Sequence, residues 1–170
     1  GPGEVLVRVH TSGVNPSDVK ARAGYLWPMM APRTIPHSDG AGVIEAVGDG
    51  VDVSRLGQRV WIYNANRTQD GLGQGAIGTG AELVALRETL AVPLPAGVDF
   101  VPAAALGVPA MTAHAALLTD GSVAEMTVLV TGGAGAVGSL AIQTARWAGA
   151  KRVVATVSSE AKAELARADG

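Results

Sequence analysis

Apolar and polar positions alternate with a period of two near the start of the chain. Val5, Val7 and Val9 fall on one side of the alternation, and Leu6, Arg8 and His10 on the other. Successive side chains of an extended chain point to opposite faces, so this predicts a strand over 4–11. The same reasoning predicts strands over 40–47, ended by Gly48-Asp49-Gly50, over 58–63 and over 81–87. Turn residues punctuate them at Asn15-Pro16, Pro32, Pro36, Gly57, Pro93 and Pro95. Short strands so spaced predict a barrel or sandwich for the first hundred residues.

The pattern changes near Phe100. Residues 102–118 are Ala-rich and suit a helix, with Gly107 and Pro109 expected to interrupt it. From Thr127 the pattern reads strand, helix, strand, helix, and the domain boundary is expected near Val108. The loop 64–80 carries glycines at 71, 73, 75, 78 and 80. No Lys follows them in P-loop position, so flexibility between strands is a sufficient reason for them. The opening strand needs neighbours, and the closing helix over 160–170 should feed another strand. The chain therefore reads as a fragment of a longer one.

Composition narrows the classes. Apolar residues are 48% of the chain, charged residues 16%, and the net charge is -2. No basic cluster suggests a nucleic-acid surface, and no apolar run is long enough to span a bilayer. With no Cys in the chain, disulfides and thiolate metal sites are excluded. The reading is of a cytoplasmic protein without nucleic-acid or membrane partners.

The most informative stretch is Thr127 to Ser158. Thr127-Val128-Leu129-Val130-Thr131 is a short β-branched and aliphatic run that predicts a strand buried on both faces of a parallel sheet. It leads into Gly132-Gly133-Ala134-Gly135-Ala136-Val137-Gly138, in which Gly133, Gly135 and Gly138 match G-x-G-x-x-G. A helix is predicted next, with Val137, Leu140, Ala141, Thr144 and Ala148 on one face and Gly149 as its stop. A second strand is predicted over 152–157. In such a unit the first glycine allows a tight turn, the second lets a pyrophosphate approach the backbone, and the third lets helix and strand pack closely. Backbone N–H groups of Gly133, Gly135, Ala136, Val137 and Gly138, at the positive end of the helix dipole, would hold the pyrophosphate of a nicotinamide dinucleotide. No Asp or Glu lies between Met126 and Ser159 to repel it. A cofactor without a 2′-phosphate is usually held by an acid at the end of the second strand. Here Ser158 stands there, with Lys162 one helical turn on, which suits NADPH; Lys162 could equally be a solvated surface lysine.

Further segments carry a family resemblance. They are Gly1-Pro2-Gly3-Glu4-Val5-Leu6-Val7, Gly13-Val14-Asn15-Pro16-Ser17-Asp18, His37-Ser38-Asp39-Gly40-Ala41-Gly42-Val43-Ile44, and Met111-Thr112-Ala113. With the glycine loop, they make the chain resemble the zinc-independent quinone oxidoreductases, zeta-crystallin-like, of the medium-chain dehydrogenase/reductase superfamily. Members are considerably longer. The resemblance implies an α/β chain with a β-barrel: a GroES-like catalytic domain over 1–107, then the first part of a Rossmann doubly wound parallel sheet over 108–170. It implies an active site in the cleft between them, a homodimeric full-length parent, and NADPH-dependent reduction of a quinone-like acceptor or another conjugated carbonyl compound. An enoyl reductase acting on an activated C=C bond and a non-catalytic NADPH-binding protein are the alternatives.

The resemblance also suggests site residues. Zinc-dependent relatives carry Cys where this chain has Asn15, and His where it has Ser38, so no metal is expected. His37 beside Asp39 is one imidazole, whereas a zinc site needs several convergent donors. Asn15 should face nicotinamide and substrate and could hydrogen-bond a carbonyl oxygen, or could simply start the Asn-Pro turn. Asp18 could orient a neighbour or cap a helix over 19–23. Tyr25 takes a position where relatives often carry a cleft aromatic, and the loop Leu26-Trp27-Pro28-Met29-Met30 could line an apolar pocket. Thr112 matches a Thr near the cofactor, or is an ordinary helical Thr. A metal-free mechanism would rest on positioning an already electrophilic acceptor.

Overall fold

A β-strand at Glu4–Gly13 (β1) opens the first half, in a computed structural model that describes residues 1–25, 31–66 and 75–170. Helix α1 (Pro16–Arg22) follows, then β2 (Asp39–Val47), β3 (Arg59–Ile62), β4 (Leu83–Arg87), β5 (Ala91–Pro93) and helix α2 (Phe100–Ala104). The strands form one antiparallel sheet in the order β4-β1-β2-β3-β5. Alternation produces its core: Val5, Val7, Ile44, Val60, Ile62, Val84 and Leu86 are buried together on one face. β5 escapes the periodicity because three residues hold too little of it. The pairings leave β4 and β5 as sheet edges, so the expected barrel is not closed among the described residues.

The expected helix over 102–118 is two helices. It breaks at Ala105 and Leu106, and α3 runs from Gly107 to Leu118. Pro109 does not interrupt α3. It occupies the first turn, where backbone N–H groups have no intrahelical acceptor to lose.

The chain divides into two compact units, Gly1–Val108 and Pro109–Gly170. In the second unit β6 (Thr127–Val130) pairs in parallel with β7 (Arg152–Ala155), with Val128 opposite Val153. Helix α4 (Ala136–Trp147) joins them, and α5 (Glu160–Ala168) follows β7. Gly149, at φ +82, ends α4. Its N–H bonds the Arg146 carbonyl at 3.1 Å, and the Ala150 N–H bonds that of Ala145 at 3.0 Å, the paired bonds of a Schellman stop.

Two expectations about this unit need correction. The buried face of α4 is Gly138, Ala141, Ile142 and Ala145, one step round from the predicted face, and Val137 is 40% exposed. The close approach of Gly138 to the preceding loop sets that rotation. β6 is covered on one face only: Val130 packs with Ala141, Ile142 and Ala166, while Leu129 is 64% exposed. Among the described residues no helix is long and apolar enough to cross a membrane.

Candidate functional site

Asn15 sits where β1 has ended and α1 begins. Pro16 at the first helical position fixes φ for the helix, and Asn15 is the N-cap. The Asp18 carboxylate, three residues on, accepts from the Asn15 backbone N–H at 2.7 Å. Asp18 is thus the return partner of the cap rather than the cap itself, and the expected helix over 19–23 starts earlier. The Asn15 side chain is buried, and its Nδ2 donates to Asp39 Oδ2 at 2.7 Å. A carboxylate only accepts, which assigns the amide orientation. One Nδ2 proton of Asn15 remains for another partner, while its side-chain oxygen faces the Asp18 backbone N–H in the capping box.

Asp39 opens β2 and is 1% exposed. Its Oδ2 also accepts from the Val108 N–H at 2.9 Å, at the start of α3. Its Oδ1 is buried with no hydrogen-bond partner. Burial pushes the Asp39 carboxyl above its ordinary value and nearby Asp18 adds to the push, while the bonds from Val108 and Asn15 oppose it. Main-chain contacts hold this residue from the other side, since the Thr79 hydroxyl donates to the Asp39 carbonyl. The sequence reading did not select Asp39; an acidic residue beside a candidate ligand was its only signal.

His37, two residues before Asp39, is half-buried, with Nδ1 2.8 Å from Ser12 Oγ. Among the described residues no group of three His, Asp or Glu side chains is placed to hold a metal ion. Gly78 and Gly80 are more than flexible loop residues. A Cβ at Gly78 would lie 2.3 Å from the carbonyl oxygens of Pro36 and His37, and one at Gly80 would lie 3.2 Å from that of Pro36. Gly71 and Gly73 lie outside the described residues, as does the loop 26–30. Tyr25 follows α1 with its side chain 82% exposed, and takes no part in the hydrogen bonds around Asn15 and Asp39.

In the second unit the glycine loop divides its roles differently from the expectation. The tight turn belongs to Gly132, at φ +68. Its N–H donates to Thr156 Oγ1 at 3.2 Å, and the Gly133 N–H donates to the Thr156 carbonyl at 2.9 Å. Gly133 serves packing: a Cβ there would lie 2.7 Å from Ala155 Cβ. A Cβ on Gly138 would lie 2.2 Å from the Gly132 carbonyl, so the helix could not seat against the loop. Gly135 differs, since its Cβ would meet only the Gly132 carbonyl, at 3.3 Å. Gly135 also borders a space outside the loop.

That space is a cavity of about 440 Å³ walled by Gly135, Thr156, Ser158 and Lys162 among others. Lys162 Nζ donates to Ser158 Oγ at 3.0 Å, so the two meet at its edge. Ser159 caps α5 by accepting from the Lys162 N–H. Ala136 and Val137 form the first turn of α4, where N–H groups have no intrahelical acceptors. Thr112 lies in α3 with an exposed side chain. Thr156, which ties the loop to β7, carried no recognisable signal in the sequence.

Comparison with known proteins identifies relatives of the chain. Residues 1–96 match the family model of the alcohol dehydrogenase GroES-like domain. The chain is 37% identical over 168 residues to a quinone oxidoreductase of Rattus norvegicus, covering 98% of this chain and 48% of the relative. It is 37% identical over 169 residues to a chloroplastic NADPH-dependent alkenal/one oxidoreductase of Arabidopsis thaliana, covering 98% and 43%. Among solved structures, a Pseudomonas syringae quinone oxidoreductase superposes with a TM-score of 0.82 at 37% identity, covering 100% of this chain and 49% of that one. An Escherichia coli quinone oxidoreductase complexed with NADPH gives 0.80 at 28%, covering 99% and 48%. The chain spans about half the length of the relatives it matches.

Proposed function

We propose, for a chain that belongs to the alcohol dehydrogenase GroES-like family within the medium-chain dehydrogenase/reductase superfamily, that it serves an oxidoreductase reducing quinones or other conjugated carbonyl compounds with NADPH. The observation that carries this reading is the glycine backbone of Gly135 lining a cavity edged by a hydroxyl and an ammonium. Glycine there leaves room for a pyrophosphate, and the N–H groups at the start of α4 point toward anionic ligands. Ser158 and Lys162 supply a donor pair suited to a 2′-phosphate. When bound, the nicotinamide supplies a hydride, that is, two electrons and one proton. Residues 109–170 then form the beginning of a nucleotide-binding domain, and the sheet unit carries the acceptor.

On the acceptor side, the Asn15 amide is held by Asp39 in one orientation, so its remaining proton can meet an acceptor carbonyl with little reorganisation. No metal is assigned a part, because an amide at position 15 and a hydroxyl at position 38 replace the zinc ligands of the alcohol-oxidising relatives. Similarity to the Arabidopsis alkenal/one oxidoreductase favours a second acceptor class, the activated C=C bond. The full-length natural protein that carries this chain should oxidise NADPH when given a quinone or an enone, with NADH a poorer donor. NADPH binding without turnover on either acceptor would instead favour a non-catalytic role.

A further inference from the structure

A chain of hydrogen bonds around Asp39 determines where His37 carries its proton. The Asp39 carbonyl can only accept, so the Thr79 hydroxyl spends its one proton on it. At the 2.9 Å contact between Thr79 Oγ1 and Ser12 Oγ, Ser12 must therefore donate. With the Ser12 proton spent, the 2.8 Å contact to His37 is made by Nδ1–H donating. The neutral ring thus carries its proton on Nδ1 and its lone pair on Nε2. Nε2 has no hydrogen-bond partner among the described residues.

The ring is carried on an unusual backbone conformation. His37 has φ +76, a region that side-chain-bearing residues rarely adopt. The Thr79 N–H grips the His37 carbonyl at 2.9 Å and the Gly80 N–H grips that of Pro36 at 3.0 Å. Strain over-determined in this way gathers at functional sites. The relay ends on Asp39, the residue whose carboxylate orients Asn15, so a proton-carrying ring and the candidate acceptor-binding amide share one support.

We propose that His37 is the proton donor in the reduction of an α,β-unsaturated carbonyl acceptor, a role that rests on the oxidoreductase reading above. Hydride addition to the β-carbon moves the C=C electron pair toward the carbonyl, leaving an enolate oxygen. The charged imidazole then gives up its Nε2 proton. The Nε2–H bond breaks, an O–H bond forms, and the freed electron pair stays on Nε2. The ring is left neutral with its proton on Nδ1, the form that Ser12 and Thr79 stabilise. Solvent restores the Nε2 proton. The acceptor is reduced by two electrons, the nicotinamide is oxidised, and the enol rearranges to the saturated ketone. Ser12 and Thr79 are positioning residues. A quinone asks less of the ring, because hydride addition to it is driven by formation of an aromatic hydroquinone and leans less on proton donation.

The test uses the full-length natural protein with NADPH and two acceptors, cyclohexenone and para-benzoquinone. His37→Gly suits the positive φ, so the fold should survive. Its turnover on cyclohexenone should fall by about 10²–10⁴-fold, the range for a lost general acid. Free imidazole should restore part of it, and the loss on para-benzoquinone should stay within about tenfold. Heteronuclear NMR of the ring nitrogens should show Nδ1–H in the neutral ring, and Ser12→Ala should shift protonation toward Nε2. Equal losses on both acceptors, or no rescue by imidazole, would overturn the proposal while leaving the oxidoreductase reading standing. A neutral ring protonated on Nε2 would overturn the relay whatever the turnover. Absence of NADPH oxidation by the unsubstituted protein with both acceptors would remove the reading and the proposal together.

Discussion

Asn15 donates its side-chain amide to the buried carboxylate of Asp39 at 2.7 Å, across 24 residues of sequence. The same carboxylate oxygen receives the Val108 N–H, so one atom ties together the cap of α1, the start of β2 and the start of α3. The other oxygen faces Gly107, where a Cβ would lie 2.2 Å from it. Glycine at 107 is thus required by Asp39 rather than by a turn.

Because both bonds reach one oxygen, Asp39→Asn can keep them with its amide oxygen, and its stability should change by no more than about 1 kcal/mol. Asp39→Ala leaves two buried donors without an acceptor and should cost about 2–4 kcal/mol. Urea unfolding of the two variants checks this; equal stabilities would remove Asp39 from its structural role.

Asp39 should also shape the pH dependence. Burial raises its carboxyl pKa in the folded chain above the unfolded value, so folding favours the protonated form. The stability it contributes is complete below the unfolded value and is lost as pH rises through the folded one. Asp39→Asn cannot titrate, so its stability relative to the unsubstituted chain should improve as pH rises across that window. Denaturation midpoints over a pH series that run parallel for the two proteins would contradict the assignment.

Glycines of one motif should respond in opposite ways. Gly138→Ala places a Cβ against the backbone carbonyl of Gly132 and should destabilise the second unit by about 2 kcal/mol or more. Gly135→Ala meets one neighbour, the Gly132 carbonyl at 3.3 Å, which a shift of a few tenths of an ångström relieves, and should change stability by less than about 1 kcal/mol. It should nevertheless weaken NADPH binding, because its methyl group enters the cavity. Calorimetric binding and thermal unfolding, measured on both variants, separate the two effects.

The strained turn at His37 offers a stability test of its own. His37→Gly relieves the positive φ but loses the Ser12 bond, and should leave stability unchanged or raise it by about 1 kcal/mol. Gly78→Ala should do the reverse, since its Cβ would meet the backbone oxygens that hold the turn. A strongly destabilised His37→Gly protein would show that the ring, not the backbone, holds this segment.

Lys162→Ala should weaken NADPH binding about tenfold and leave NADH binding nearly unchanged, as expected for a partly solvated ammonium on a phosphate. Fluorescence titration with each dinucleotide measures this. Equal losses for both would place Lys162 away from the 2′-phosphate.

Much of this was legible along the chain. The alternation of Val5, Val7 and Val9, the β-branched run from Thr127, the helix after Gly135 and its stop at Gly149 all depend on backbone geometry over a few residues. Local spacing records such geometry directly. Other features were decided by tertiary structure. Gly132 and not Gly133 makes the turn, α4 is rotated one step from its predicted face, and Asp18 accepts at the cap of α1. The Asp39 site lies furthest from sequence, because its partners stand 24, 40 and 69 residues away. A hydrogen bond between distant residues exists only once the sheet and its helices have brought donor and acceptor together, and hydrophobic periodicity cannot specify which buried polar groups will meet. The tautomer of His37 follows from such a chain of contacts, while the glycine loop that could receive a dinucleotide was already written in seven consecutive residues.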